Sequence, residues 1–537
     1  MPLDLSNKKI LVIDDLADMR NMLRKMAVSC LATDIDDAKT GENGLAMMAK
    51  KRYDIILCDY NLGPGKDGQN VLEEAKFKSL IGYDTIFMMV TAENTAKMVM
   101  GAMEYYPDSY ITKPFNNIEF STRLEKAQQR KANFKSIVRA INRKDFQTAI
   151  DECDLKLADN PKNKLELLKT KADIYEKMNQ YQQAESIYNE VIEKRELPWA
   201  KLGLARTLYH LSEYEHSQQI LQAIIEENPN YVEAYDWLAK VYEKLGNVEQ
   251  AQKTLQNAIE RSPKAILRHK TLGKIAFHHK NMALAETSFE QAVKLGRHSC
   301  YKEVNDYTSL SKVYLETNSP SSASNLIEEM KSEFDDDSST QFQASIIEGM
   351  IHKHNGDEEL ANQAIEKANK LFSSLNNNAS VDSMMDLTRT CLALGREDLG
   401  KKFTKYIVSN NHEDNDILNK TQQLFDEFDM NDVGKALIDS TCQEVVNINN
   451  RGVELTKQGN LMEAIELLEE AAVGMPENKT INLNAAQALI MLMQKGEKHS
   501  ELLTKTGTYL ERVSQIDPLD KKFQKLKSFY IKLSATR

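Results

Sequence analysis

A small residue returns at a nearly constant interval through the middle of this chain. Ala184, Ser217, Ala251 and Ala285 stand 33, 34 and 34 residues apart, in the frames YQQAESIY, YEHSQQIL, VEQAQKTL and LALAETSF. Twelve residues before each lies a second small residue, Ala172, Ala205, Ala239 or Gly273, and four residues after each a larger apolar one, Tyr188, Leu221, Leu255 or Phe289. From Ala132 onward the apolar spacing is helical, with no strand alternation. Two small positions per unit let paired antiparallel helices approach closely, while the larger residue fills the next groove. Pro161, Pro229, Pro263 and Pro476 are expected to end second helices where a turn is needed. A stacked array of such pairs accounts for most of 537 residues without several independent cores.

The 34-residue helix–turn–helix period resembles the tetratricopeptide repeat, or TPR. The fullest units are Tyr235, Leu238, Ala239, Tyr242, Ala251, Leu255, Ala258 and Pro263, and, further on, Gly452, Leu455, Ala464, Leu468, Ala471 and Pro476. Looser units fall at Ala149, Ala323, Ala361 and Gly400, the last three at steps of 38, 38 and 39. The expected division is repeats over 136–410, a degenerate helical stretch without readable register over 411–445, and repeats over 446–537. The last part carries an insertion around Lys495 to Thr506 and a polar-faced capping helix, Lys521 to Leu533. The resemblance implies a surface for an unidentified protein partner. Tyr175, Tyr209, Tyr235, Trp237, Tyr242 and Tyr314 are candidates to line a groove, but most fall at helix-core positions and read as packing; Asp335 to Asp337 read as a solvated loop.

The first 125 residues have a different rhythm. Lys9 to Asp14 (KILVID), Asp54 to Asp59 (DIILCD), Thr85 to Val90 (TIFMMV) and Ser109 to Thr112 read as strands. Between them Leu16 to Ser29, Leu45 to Lys51, Asp67 to Ser79 and Thr95 to Tyr105 read as helices, and another opens near Asn116. Strand–helix alternation predicts an α/β doubly wound parallel sheet with all carboxyl ends at one edge. That edge collects Asp14, Asp15, Asp59, Thr91 and Lys113. Three converging carboxylates repel unless a hard cation lies among them, and an oxygen-only donor set suits Mg2+. Asp59 is then a nucleophile for phosphoryl transfer, with Lys113 and the Thr91 hydroxyl taking the remaining oxygens. Each of these acids taken singly is as consistent with a solvated strand end.

The acidic pair Asp14-Asp15, the strand-end Asp59, Thr91-Ala92, Tyr110 and Lys113-Pro114-Phe115 together resemble a response-regulator receiver domain of bacterial two-component signalling, covering residues 1–125. The resemblance implies a five-stranded, flavodoxin-like sheet and phosphorylation of Asp59 by a histidine kinase or phosphotransfer protein. It also implies Mg2+ held by Asp15 and Asp59 directly, by Asp14 through water and by the Asn61 backbone carbonyl. Thr91 and Tyr110 would be the switch pair. Asn61 and Glu93, two past the acceptor and two past the switch hydroxyl, would tune hydrolysis, and an amide with a carboxylate there implies a short-lived phosphoryl group. The loop Gly63 to Gly68 is one residue longer than the commonest pattern. Residues 126–135 read as a charged helical linker, free of Gly and Pro, between the sheet and the repeats.

A net charge of -11 argues against a polyanion partner, so neither nucleic acid nor membrane is expected. Apolar runs too short to span a bilayer, and no secretory signal, predict a cytoplasmic protein. Six scattered cysteines without a C-x-x-C pair read as reduced core thiols. No second catalytic motif is present, so the chain reads as a signalling adaptor rather than an enzyme. The alternatives are a transcriptional regulator with an unrecognised DNA-binding segment and a phosphate sink or phosphatase for another regulator.

Overall fold

The structure is a computed structural model describing residues 3–92, 105–159, 161–334, 337–375, 379–496 and 500–535. The predicted helix Thr95 to Tyr105 and its methionines Met98, Met100 and Met103 lie outside the described residues, Tyr105 excepted. The chain divides into two compact units, Met1–Asp306 and Tyr307–Arg537.

The first unit begins with a parallel sheet of order β2-β1-β3-β4-β5. Its strands are β1 (Lys9–Ile13), β2 (Asp34–Ala38), β3 (Ile55–Asp59), β4 (Ile86–Thr91) and β5 (Ser109–Thr112). Helices α1 (Ala17–Ser29), α2 (Gly41–Lys50) and α3 (Gly68–Phe77) cross between them. Successive side chains on a strand face opposite ways, so β1, β3 and β4 feed two cores. Ile10, Val12, Ile55, Leu57, Met88 and Val90 meet Leu23, Phe120 and Leu124 on one side. Leu11, Ile13, Ile56, Cys58, Phe87 and Met89 meet Leu45, Met48, Val71 and Leu72 on the other. Burial on both faces explains why these strands are continuous apolar runs.

One helix, Asn117–Asn142, leaves the sheet and enters the repeats without a break. Phe120, Leu124 and Ala127 belong to the sheet's core. Phe134, Ile137 and Ala140 belong to the next, with Ala149, Cys153 and Leu167. Between the two sets Lys131 pairs with Asp108 at 2.9 Å and donates to the Thr85 carbonyl.

The repeats carry a second periodic mark that propensity does not reveal. Ten turns from first to second helix hold a residue at positive φ followed by the small position: Lys144, Asn179, Ser212, Gly246, Lys280, Asn318, Gly356, Gly395, Asp429 and Gly459. Five residues after each comes the small residue, Ala149, Ala184, Ser217, Ala251, Ala285, Ala323, Ala361, Gly400, Gly434 or Ala464, and all ten are buried. The stretch 411–445 therefore has a register, set by Asp429 and Gly434. It was hidden because Asn431–Gln458 is one 28-residue helix. That helix serves as the second helix of one repeat and the first of the next, so the intervening turn is missing and the step from 429 to 459 shortens to 30 residues. Asp337 is more than a solvated loop residue: its carboxylate caps the helix Ser338–Asn355 by accepting from the Thr340 N–H at 2.7 Å. The helix Lys521–Ala535 buries Phe523 and Leu526 against the last repeat.

The small positions are sterically required. A Cβ on Gly273 would stand 2.8 Å from the ring of Phe289, the large residue of the facing helix. Gly273→Val is expected to lower stability by about 1 to 3 kcal/mol through overpacking, read as a lower urea midpoint.

Candidate functional site

Parallel pairing throughout places the carboxyl ends of the strands at one edge. Asp14 and Asp15 follow β1, Asp59 ends β3, Thr91 ends β4 and Lys113 follows β5. Ligand atoms of Asp14, Asp15 and Asp59 all lie within 4.8 Å of one another. Lys113 Nζ is 3.1 Å from Asp14 Oδ2 and 3.1 Å from Asp59 Oδ1. Asp14, Asp59 and Thr91 are buried, whereas Asp15 faces solvent. Tyr110 is half-buried against the core that contains Phe87 and Met89. Asn61 is exposed, and its side chain accepts from the Gly63 N–H at 3.4 Å. Glu93 lies outside the described residues.

Local sequence explains the mouth of the site. After Asp59 the chain turns through Gly63 and Gly65, both at positive φ, where a side chain would be strained. Lys66 N–H then donates to Glu42 Oε1 at 2.8 Å. Asp67 starts α3 with a reciprocal cap to Asn70. Two contributors carry no motif and escape a reading of the sequence. Arg20, the fourth residue of α1, donates to the Asp14 and Asp15 carbonyls at 2.7 and 3.0 Å and pairs with Asp37, fixing the acidic turn. Gly68, the first residue of α3, lies so close to Asp59 that a Cβ would meet its carbonyl oxygen at 2.1 Å.

Burial pushes the Asp59 carboxyl up to about 6; Lys113 opposes the shift and Asp14 adds to it. Folding thus disfavours the ionised form, and without a cation this opposes stability above about pH 6 and is relieved as pH falls through that value. Asp59→Asn is accordingly expected to raise the thermal midpoint at pH 7.5 in EDTA. The gap from the unaltered protein should close as pH is lowered past about 6, checked by paired melts across pH.

The response regulator receiver domain family matches residues 10–125, and tetratricopeptide repeat families match 166–193 and 213–275. The chain therefore joins a receiver domain to TPR repeats, which places it in phosphorelay signalling. Chemotaxis protein CheY-3 of Vibrio cholerae is 27% identical over 124 residues, 23% of this chain and 94% of that protein. Transcriptional regulatory protein ResD of Bacillus subtilis is 35% identical over 132 residues, 25% of this chain and 52% of that protein. Among solved structures, chemotaxis protein CheY4 of Vibrio cholerae is 23% identical over 22% of this chain and 98% of its own, with a TM-score of 0.21. MamA from Desulfovibrio magneticus RS-1 is 21% identical over 31% of this chain and 94% of its own, with a TM-score of 0.28. Among the described residues no helix is long and apolar enough to cross a membrane.

Proposed function

We propose that Asp59 is a phosphoacceptor, and that the state of the receiver controls which proteins the repeats bind. The observation that carries the reading is the cluster itself: three carboxylates within 4.8 Å, with Lys113 bridging two of them. A carboxylate oxygen of Asp59 forms the new O–P bond as the P–N bond of a donor phosphohistidine breaks, and the released imidazole takes a proton. The Lys113 ammonium and the Thr91 hydroxyl hold phosphoryl oxygens as charge moves onto them. The donor set is all oxygen and one member, Asp15, stays open to solvent, which fits Mg2+. Asp14, Asp15, Asp59 and the Asn61 carbonyl would hold the ion, which when bound draws charge from the transferring group.

Control of the repeats is supported by the helix Asn117–Asn142, which shares side chains between both cores. The receiver relatives and the repeats together fit a regulator that acts by contact, without a separate catalytic domain. The donor would be a histidine kinase or a phosphotransfer protein, and the output a protein partner. Incubation with a phosphorylated histidine phosphotransfer domain is expected to label the chain at an acid-labile linkage, and Asp59→Asn to abolish the label with helix content unchanged. Undiminished labelling of the variant would refute the assignment.

A further inference from the structure

Within the first unit the receiver and the repeats meet again, far in sequence from the bridging helix. Lys264, just after the helix Val248–Arg261, puts Nζ 2.6 Å from Asp67 Oδ2 and 5.0 Å from the centre of the Tyr60 ring. Tyr60 follows Asp59, and Asp67 closes the loop that Tyr60 opens. Lys66 Nζ donates to the His298 carbonyl at 2.6 Å. Along α3, Ser299 Oγ donates to Glu73 Oε2 at 3.1 Å, and Phe77 meets Tyr301 edge to face at 5.7 Å. Tyr106, held at a φ of 49°, donates its hydroxyl to Glu233 Oε2 at 2.7 Å. The acceptor loop is thus gripped by the repeats at Tyr60 and at Lys66-Asp67, and the helix it feeds is gripped along one face.

We propose that the acceptor loop and the face of α3 that carries Glu73 and Phe77 are an intramolecular docking surface for repeat residues 261–301, and that phosphorylation releases it. The proposal rests on the Asp59 reading and names how that site would regulate the repeats. A phosphoryl group adds about two negative charges beside Tyr60. Gly68 leaves no slack between the Asp59 carbonyl and α3, so a shift at Asp59 reaches Asp67 and the first turn of α3 directly. The Lys264 and Lys66 contacts are fitted to the unmodified loop, and three of the five receiver groups that meet residues 261–301, Tyr60, Lys66 and Asp67, lie within it. In the released state the face of residues 261–301 is open to a protein that offers the same groups, a loop ending in a Lys-Asp pair followed by a helix.

The native Cys300 reports the docking. It lies half-buried between Ser299 and Tyr301, and burial, together with the charges of Glu73 and Glu74, pushes its thiol up to about 11. Separation exposes the thiol and removes both carboxylates, so alkylation accelerates. The test follows iodoacetamide labelling of Cys300 in the full chain by peptide mass spectrometry, in Mg2+ with and without beryllofluoride. Beryllofluoride is expected to raise the rate at least about 5-fold, the lower end of ordinary allosteric coupling, and Asp59→Asn to remove the response. Lys264→Glu is expected to raise the rate without beryllofluoride. So is Phe77→Ala, a change at a side chain 60% exposed that the fold does not need. An unchanged rate in beryllofluoride, in a protein whose Asp59 still takes an acyl phosphate, overturns the docking proposal and leaves the acceptor intact. Cys300 rates unaltered by Lys264→Glu and Phe77→Ala overturn it as well. Failure of Asp59 to take a phosphoryl group overturns the acceptor reading and the docking proposal together.

Discussion

Gly68→Ala is expected to disable the receiver site, although position 68 touches neither the phosphoryl group nor a metal. The added Cβ would meet the Asp59 carbonyl oxygen at 2.1 Å and the Tyr60 Cα at 2.9 Å. Both neighbours are backbone, so no rotamer change relieves the contact, and β3 or α3 has to move. The Gly68 N–H also donates to the Tyr60 carbonyl at 2.8 Å, a bond the same movement strains. The cost is about 3 kcal/mol of stability. A displacement of about 1 Å at the nucleophile slows acyl phosphate formation about 100-fold. Urea denaturation and the initial rate of labelling measure the two effects. Gly82→Ala is the control, since nothing lies within 4 Å of a Cβ there; it is expected to change neither.

Gln129→Pro is expected to uncouple the two cores joined by the helix Asn117–Asn142. Position 129 is exposed and lies between the last residue of the sheet's core, Ala127, and the first of the repeat core, Phe134. Proline removes one helical hydrogen bond and collides with the carbonyl four residues back, at a cost of about 3 kcal/mol or more. Neither core loses a side chain. The sheet should therefore keep its fold and its phosphoryl acceptance, while the Lys131 contacts to Asp108 and Thr85 are lost. A single thermal transition of the first unit should separate into two in calorimetry. One transition with an unchanged midpoint would mean that the helix is a passive tether.

The strands at the centre of the sheet were legible because burial on both faces leaves an unbroken apolar run. The edge strand β2 was not, because DIDDA carries three acids and buries only two of its five side chains; pairing with β1 makes it a strand. The five residues at the carboxyl edge could be found because each stands directly at a strand end, where topology alone fixes position. Arg20 and Gly68 could not, since their roles depend on backbone brought close by the fold. The repeat register was readable wherever a turn separated helices and unreadable where Asn431–Gln458 fuses two of them. The positive-φ turn residue supplies the missing mark, but it is Lys, Asn, Ser, Gly or Asp by turns, and so has no signature in the sequence. The grip of Lys264 on Asp67 spans nearly 200 residues, and nothing local to either side chain announces it.

The central claim is that one carboxylate, at position 59, carries the signal. Borohydride reduction of the phosphorylated chain, followed by peptide mass mapping, reads it directly, because an aspartyl phosphate is reduced to homoserine where it formed. The account predicts homoserine at position 59 and at no other acid, dependent on both Mg2+ and a phosphodonor. Homoserine at another aspartate, or a phosphoryl group that resists borohydride and survives acid on a hydroxyl side chain, would contradict it.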